Sequence, residues 1–298
     1  TILNRFKYVI NTSTGKLPVL QDRAYAYAVK QPEPNLLSKS NIERVVTATE
    51  FQNVTPVQLN ETDYMWTIQK TPFKRITFNT LTYDFTLFSQ FIADPAVLTA
   101  RSLPNEESAK VMAENFLKSL NSFPEDIYPS RTATTLYLVQ NGALVPASSL
   151  STAQIIRVDF YQFDKEKLPI YYPHPPASTI NVFVASGPES PQIVEAHYSG
   201  KSLTDKKGEY PLKTSQQAYD NLLAGKAFIA AYSPKPQQLP FQEGDTPEVQ
   251  IIDISIGYFM ADQKQKYLMP VFVFTGTDGF IAYVSAIQDK WIDTAMLQ

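Results

Sequence analysis

Apolar positions along this chain alternate between two spacings, and the change of spacing recurs. Ile42, Val45, Val46 and Thr49 fall three and four apart, on one face of a helix. Ser40-Asn41-Ile42-Glu43 has the form of a capping box ahead of them. Phe51 marks the exit and Pro56 bars continuation. The spacing then drops to two, the period of a half-buried strand. Tyr64, Trp66 and Ile68 share one face, then Ile76 and Phe78, then Leu81, Tyr83, Phe85 and Leu87. A phase shift at Asn79-Thr80 predicts a turn or bulge.

The same order returns twice. Asn105 opens a second helix with Ala109, Met112, Ala113, Phe116 and Leu120 as its stripe. Strands are expected at 134–140, 155–163, 179–185 and 193–198, with Asn141-Gly142 as a hairpin turn. Thr214 and Gln217 form a capping box for a third helix, and Gly225 stands where a left-handed residue ends one. Phe228–Ala231, Val249–Phe259, Tyr267–Thr275 and Phe280–Ile287 follow as strands. The run 268–274 is apolar on both faces, so that strand should be covered on both sides, by the helix and by another module. Pro270 within it should lie at an edge or bulge.

The expected class is α+β: repeated modules of one short helix packed on a curved antiparallel sheet. Helices should cover Ser40–Glu50, Glu106–Leu120 and Ser215–Ala224. Residues 1–34 read as an extended segment or stalk, with Gln31-Pro32-Glu33-Pro34 as a stiff linker. Residues 35–100 form a first module, and 101–298 a domain of two modules, about 101–205 and 206–298. The loop 93–103 is the preferred boundary. The Pro-rich loop 233–247 is long.

Composition narrows the function classes. A net charge of −3, a pI near 5.5 and scattered basic residues argue against a nucleic-acid surface. Lys206-Lys207 reads as an exposed turn. With no cysteine, disulfides and thiol chemistry are excluded. No segment approaches the about 18 apolar residues that a membrane span needs. The chain begins at Thr1, so a signal or anchor is expected upstream. Sequon matches at Asn11, Asn53 and Asn60 indicate only surface loops.

The sequence shows no phosphate loop, dinucleotide fingerprint, zinc-protease motif or nucleophile elbow. His174 sits in a stiff Pro-rich loop and reads as a solvated side chain. His197 is placed on a strand facing a cross-strand partner. Arg157 and Asp159 alternate, so they can share one sheet face, and a cross-strand ion pair is expected there. Glu106-Glu107 suits a helix start. No catalytic residue, metal site or cofactor is expected. Tyr25, Tyr27, Tyr64, Trp66 and Tyr161 read first as sheet packing, with a glycan- or peptide-binding groove as the alternative. The candidate interaction loop is Tyr171, Tyr172, Pro173, His174, Pro175 and Pro176, where aromatic area is expected on a rigid backbone.

Tyr210-Pro211-Leu212-Lys213-Thr214, Ala218-Tyr219, Leu222 and Gly225-Lys226 resemble the helix of the regulatory membrane proteins YycI and YycH. Ile254–Tyr258 and Tyr267–Phe274 followed by Tyr283–Ile287 are similar to their strand ending in Gly-Tyr and their Pro-containing hairpin. The modules also resemble PepSY-like α/β units. The likeness is strongest over 205–290 and rests on structural positions only. It implies a bacterial, membrane-anchored extracytoplasmic protein that binds or regulates another protein of the envelope. The leading expectation is therefore a non-enzymatic interaction module with a protein partner, no nucleic acid, and membrane contact only through an anchor outside this chain. A cell-envelope structural or glycan/peptide-binding protein is the second reading, and a hydrolase with an unrecognised site the remote third.

Overall fold

The computed structural model describes residues 6–70, 73–99, 103–187, 189–233 and 246–292. In chain order they carry β1 (Lys7–Ile10), β2 (Arg23–Val29), α1 (Ser38–Thr47), β3 (Val57–Gln58), β4 (Asp63–Ile68), β5 (Lys74–Asn79), β6 (Phe85–Ser89), α2 (Pro95–Thr99) and α3 (Glu106–Ser119). Next come β7 (Ala133–Gln140), β8 (Ala143–Pro146), β9 (Ile155–Asp159), β10 (Ile170–Tyr171), β11 (Ile180–Ala185), β12 (Gln192–Tyr198) and β13 (Leu203–Pro211). The order ends with α4 (Ser215–Leu223), β14 (Phe228–Ala231), β15 (Glu248–Phe259), β16 (Tyr267–Gly276) and β17 (Ile281–Ser285). The protein is α+β, mostly sheet with few helices.

The chain divides into two compact units. One comprises Thr1–Lys30, Phe163–Ala177 and Lys201–Gln298; the other comprises Gln31–Gln162 and Ser178–Gly200. This differs from the boundary expected in the loop 93–103. Residues on either side of that loop share a sheet, because β6 pairs with β12. The loop itself holds α2.

The second unit has a sheet ordered β3-β4-β5-β6-β12-β11-β9-β7-β8, antiparallel throughout. Trp66, Ile76, Phe78, Leu87, Val158 and Val182 point from one face into a core with Ile42 and Val46 of α1 and Ala109, Ala113 and Leu117 of α3. Asn105 caps α3 as expected, its Oδ1 accepting from the Ser108 N–H at 2.8 Å. The Ser40 capping box does not form. Asn35 accepts from the Leu37 N–H and turns the chain earlier, so α1 begins at Ser38 and the Ser40 hydroxyl donates to the Leu37 carbonyl. The strand expected from Leu81 starts only at Phe85. The Asn79 side chain accepts from the Leu81 and Thr82 N–H groups, and Tyr83 takes φ +63°. Asn141-Gly142 makes the hairpin turn between β7 and β8, with both residues at positive φ.

In the first unit the sheet runs β1-β15-β16-β17-β14, with β10 beside β15, and β2 between β13 and β16. Residues 7–10 and 23–29 are thus strands of this sheet: of the two readings, extended segment or stalk, these residues take the extended form. β1 and β10 run parallel to β15, so the sheet is not purely antiparallel. Thr214 and Gln217 bond reciprocally at 3.2 and 2.9 Å, and Gly225 ends the turn at φ +71°. α4 sets Ala218 and Leu222 on Ile254, Ile256, Phe272 and Phe274. Pro270 lies within β16, an interior strand. It stands where β16 passes from β2, at Tyr267 and Leu268, to β17, from Val271. No ladder donor is needed there, and its carbonyl accepts from the Ala286 N–H at 3.0 Å.

Candidate interaction site

Register places a second set of side chains on the face of β15–β17 away from α4. Ser255 pairs with Val273, Val273 with Tyr283, and Tyr283 with Phe228. Val271, Val273 and Tyr283 are buried there, with Tyr171, Phe259, Ala230 and Ile281 packed against them. The apolar run 268–274 is therefore covered on this face partly by aromatics of its own unit. The ring of Tyr283 is central, 5.9 Å from Tyr171, 5.3 Å from Phe259 and 6.1 Å from Phe228. Phe228 closes the triangle with Phe259 at 5.8 Å and keeps 48% of its surface exposed.

Gly257 makes this packing possible. A Cβ there would stand 2.4 Å from Cε2 of Tyr171 and 2.7 Å from the Pro169 carbonyl. The Gly-Tyr that ends the strand in the family resemblance thus has a local cause: β10 and the Tyr171 ring lie directly on it.

The candidate loop is only partly what its sequence promised. Tyr172 is 4% exposed and Pro173 is buried, so neither presents contact area. Tyr283 donates to the Tyr172 carbonyl at 2.9 Å, and burial pushes the Tyr283 hydroxyl upward in pKa, so it stays a neutral donor across physiological pH. Tyr171 is half-buried against Tyr283. Pro175 is half-buried, His174 and Pro176 are exposed, and a cis bond joins Pro175 to Pro176. His174 Nε2 is 4.0 Å from an Asp262 carboxylate oxygen. Residues 234–245 of the Pro-rich loop 233–247 lie outside the described residues.

β14 borders this face. It pairs with β17 on one side and with no strand on the other among the described residues. A half-exposed aromatic beside an unpaired strand edge can receive an extended peptide, the edge supplying main-chain hydrogen bonds and the rings a pocket for an alternate side chain.

Other residues singled out from sequence have structural partners. His197 bonds Glu195 at 2.8 Å, two residues along its own strand, not across the sheet. Arg157 likewise donates to Asp159 at 2.8 Å on one strand, and also to the Tyr137 hydroxyl at 2.8 Å. Glu106 and Glu107 occupy the first turn of α3. Lys206-Lys207 lies in β13, not in a turn; Lys207 Nζ stands 4.1 Å over the Tyr25 ring and donates to Glu166 at 2.9 Å. Tyr27 also donates to Glu166, and these bonds hold that carboxyl below its usual range, the Lys207 bond foremost. Among the described residues no group of three or more His, Cys, Asp or Glu is placed to hold a metal ion, and no helix is long and apolar enough to cross a membrane. Searches against family models and curated proteins find no match to this chain.

The sequence reading missed Phe228, Phe259 and Tyr283 as a group. The signal was present: Phe259, Val271, Val273 and Tyr283 occupy alternate positions on the face that α4 does not cover. What joins them is strand register, which sequence spacing alone does not specify.

Proposed function

We propose that this chain is a non-enzymatic, extracytoplasmic protein-interaction or regulatory module, held at the membrane by a segment outside it, with a protein partner in the cell envelope. The observation that carries the reading is the edge of β14 that pairs with no strand among the described residues, beside the half-exposed Phe228. Strand addition at such an edge needs no nucleophile, metal or cofactor. The resemblance of residues 205–290 to YycI and YycH points to the same class. The recurring helix-plus-sheet unit belongs to this proposal too. It is supported by pairing: α1 leads into β3–β6, which pair in sequence, α3 into β7, β8, β9, β11 and β12, and α4 into β14–β17.

The test is Phe228→Asp. A charge at a desolvated contact should weaken capture of the envelope partner about tenfold or more, a loss above about 1 kcal/mol, in a calorimetric titration with the captured protein. Its thermal melt should stay near wild type, since the side chain is half in solvent. Capture unchanged by Phe228→Asp would remove this edge as the contact.

A further inference from the structure

We infer that the partner segment received at the β14 edge is apolar at consecutive positions, with one set of its side chains lying on Phe228 and the alternate set entering a pocket beside Ile229. This deepens the function proposed above and rests on it. Residues of a strand alternate between the two faces of its sheet. Phe228 and Ala230 belong to the face of the Tyr283 cluster. Ala227 and Ile229 belong to the opposite face, with the core that α4 covers.

A pocket of about 480 Å³ lies on that second face, within the range of roughly 300–1,000 Å³ usual for binding pockets. Ala227 and Ile229 line it from β14, Phe6 and Tyr8 from β1, and Leu222 and Leu223 from α4. β1 and β14 are the end strands of the path β1-β15-β16-β17-β14, and each pairs on one side only among the described residues. Phe6 and Tyr232, just outside those strands, lie with their ring centroids 4.9 Å apart. The sheet therefore curls until its two ends meet beside this pocket. Leu223 lines the pocket yet keeps 55% of its surface exposed. Half-open apolar side chains thus serve both faces of one edge, Phe228 on the first and Leu223 on the second.

This pairing of surfaces determines the chemistry of the segment. A strand with one apolar and one polar face would cover only one of them and set polar groups against the other. A strand apolar on both faces, of the kind found inside a sheet, covers both. Charge adds a second requirement. Lys226 is exposed just before β14. Asp278 stands at the other end, where its carbonyl accepts from the Ser233 N–H at 2.8 Å. A segment carrying an acid at the Lys226 end and a base at the Asp278 end complements both.

Fluorescein-labelled heptapeptides are the probes. One has Val-Leu-Val-Phe-Val at its centre, and in two others Thr replaces every second central residue, in either phase. Each carries Glu at one end and Lys at the other, in both orders. Fluorescence anisotropy should show saturable binding of the all-apolar peptide, with both alternating peptides weaker by about tenfold or more. Leu223→Asp should weaken the all-apolar peptide about tenfold or more as well. Its melt should stay near wild type, since the side chain is half in solvent; Leu223→Ser repeats the test should the aspartate lower the melt. An alternating peptide that binds as tightly as the all-apolar one overturns the inference. So does the absence of binding, or binding that both Leu223 variants leave intact. Capture of the native partner judges the edge separately. Capture lost in Phe228→Asp but kept in Leu223→Asp would leave the β14 edge as the contact and remove the pocket.

Discussion

Replacing Phe272 by alanine lowers the unfolding free energy by about 3–5 kcal/mol, the usual cost of deleting a large buried ring. Phe272 is 0% exposed and packs with Ile254, Ile256 and Phe274 in the core that α4 covers. β16 is flanked by β15 and β17 at this point, so the backbone cannot collapse into the space left behind. Chemical denaturation with an unchanged m-value reads the loss directly. A loss under about 1 kcal/mol would mean that the site closes up, which packing in a rigid interior strand does not permit.

Arg157→Ala should cost a similar amount at neutral pH, about 3–5 kcal/mol, for a different reason. It leaves the carboxylate of Asp159, a side chain 1% exposed, without its ion pair. Burial raises the pKa of Asp159, and Arg157 opposes that rise through its charge and hydrogen bond; the Ser178 N–H donates to the same carboxyl at 3.0 Å. A raised folded pKa contributes stability below the unfolded value and loses it as pH rises through the folded one. Removing Arg157 lifts the folded value further, so the deficit should grow between about pH 4 and pH 7. Urea titrations at both pH values measure it, and Arg157→Ala with Asp159→Asn should recover part of the loss. An equal deficit at both pH values would show that the charge on Asp159 is not its source.

These residues also show how much was legible in the chain. Phe272 could be placed in a core because both neighbours of every alternate position were apolar. The shared face of Arg157 and Asp159 followed from their alternation, but the ion pair runs along one strand and not across strands as expected. Asn105, Thr214 and Gly225 set helix ends as read, because capping is local chemistry. Ser40 failed because Asn35 competes for the same turn, a choice between two local signals of similar strength. Tyr171 and Tyr172 looked alike in sequence, yet one lies half-open on Gly257 and the other is buried. That distinction depends on β10 running parallel to β15, a pairing between segments about 90 residues apart. The N-terminal segment was legible as extended but not as sheet, since its strands pair with partners about 180 to 240 residues further along the chain.

The central claim is that the face and edge around Phe228 meet a protein. Site-specific photocrosslinking tests it most directly. A photoreactive phenylalanine analogue is placed at Phe228 and, as a control, at Val111, an exposed position on α3 of the other unit. Illumination in the native envelope should then give an adduct of one discrete mass from position 228 and none from 111. No adduct at 228, or the same adducts from both positions, would contradict the account.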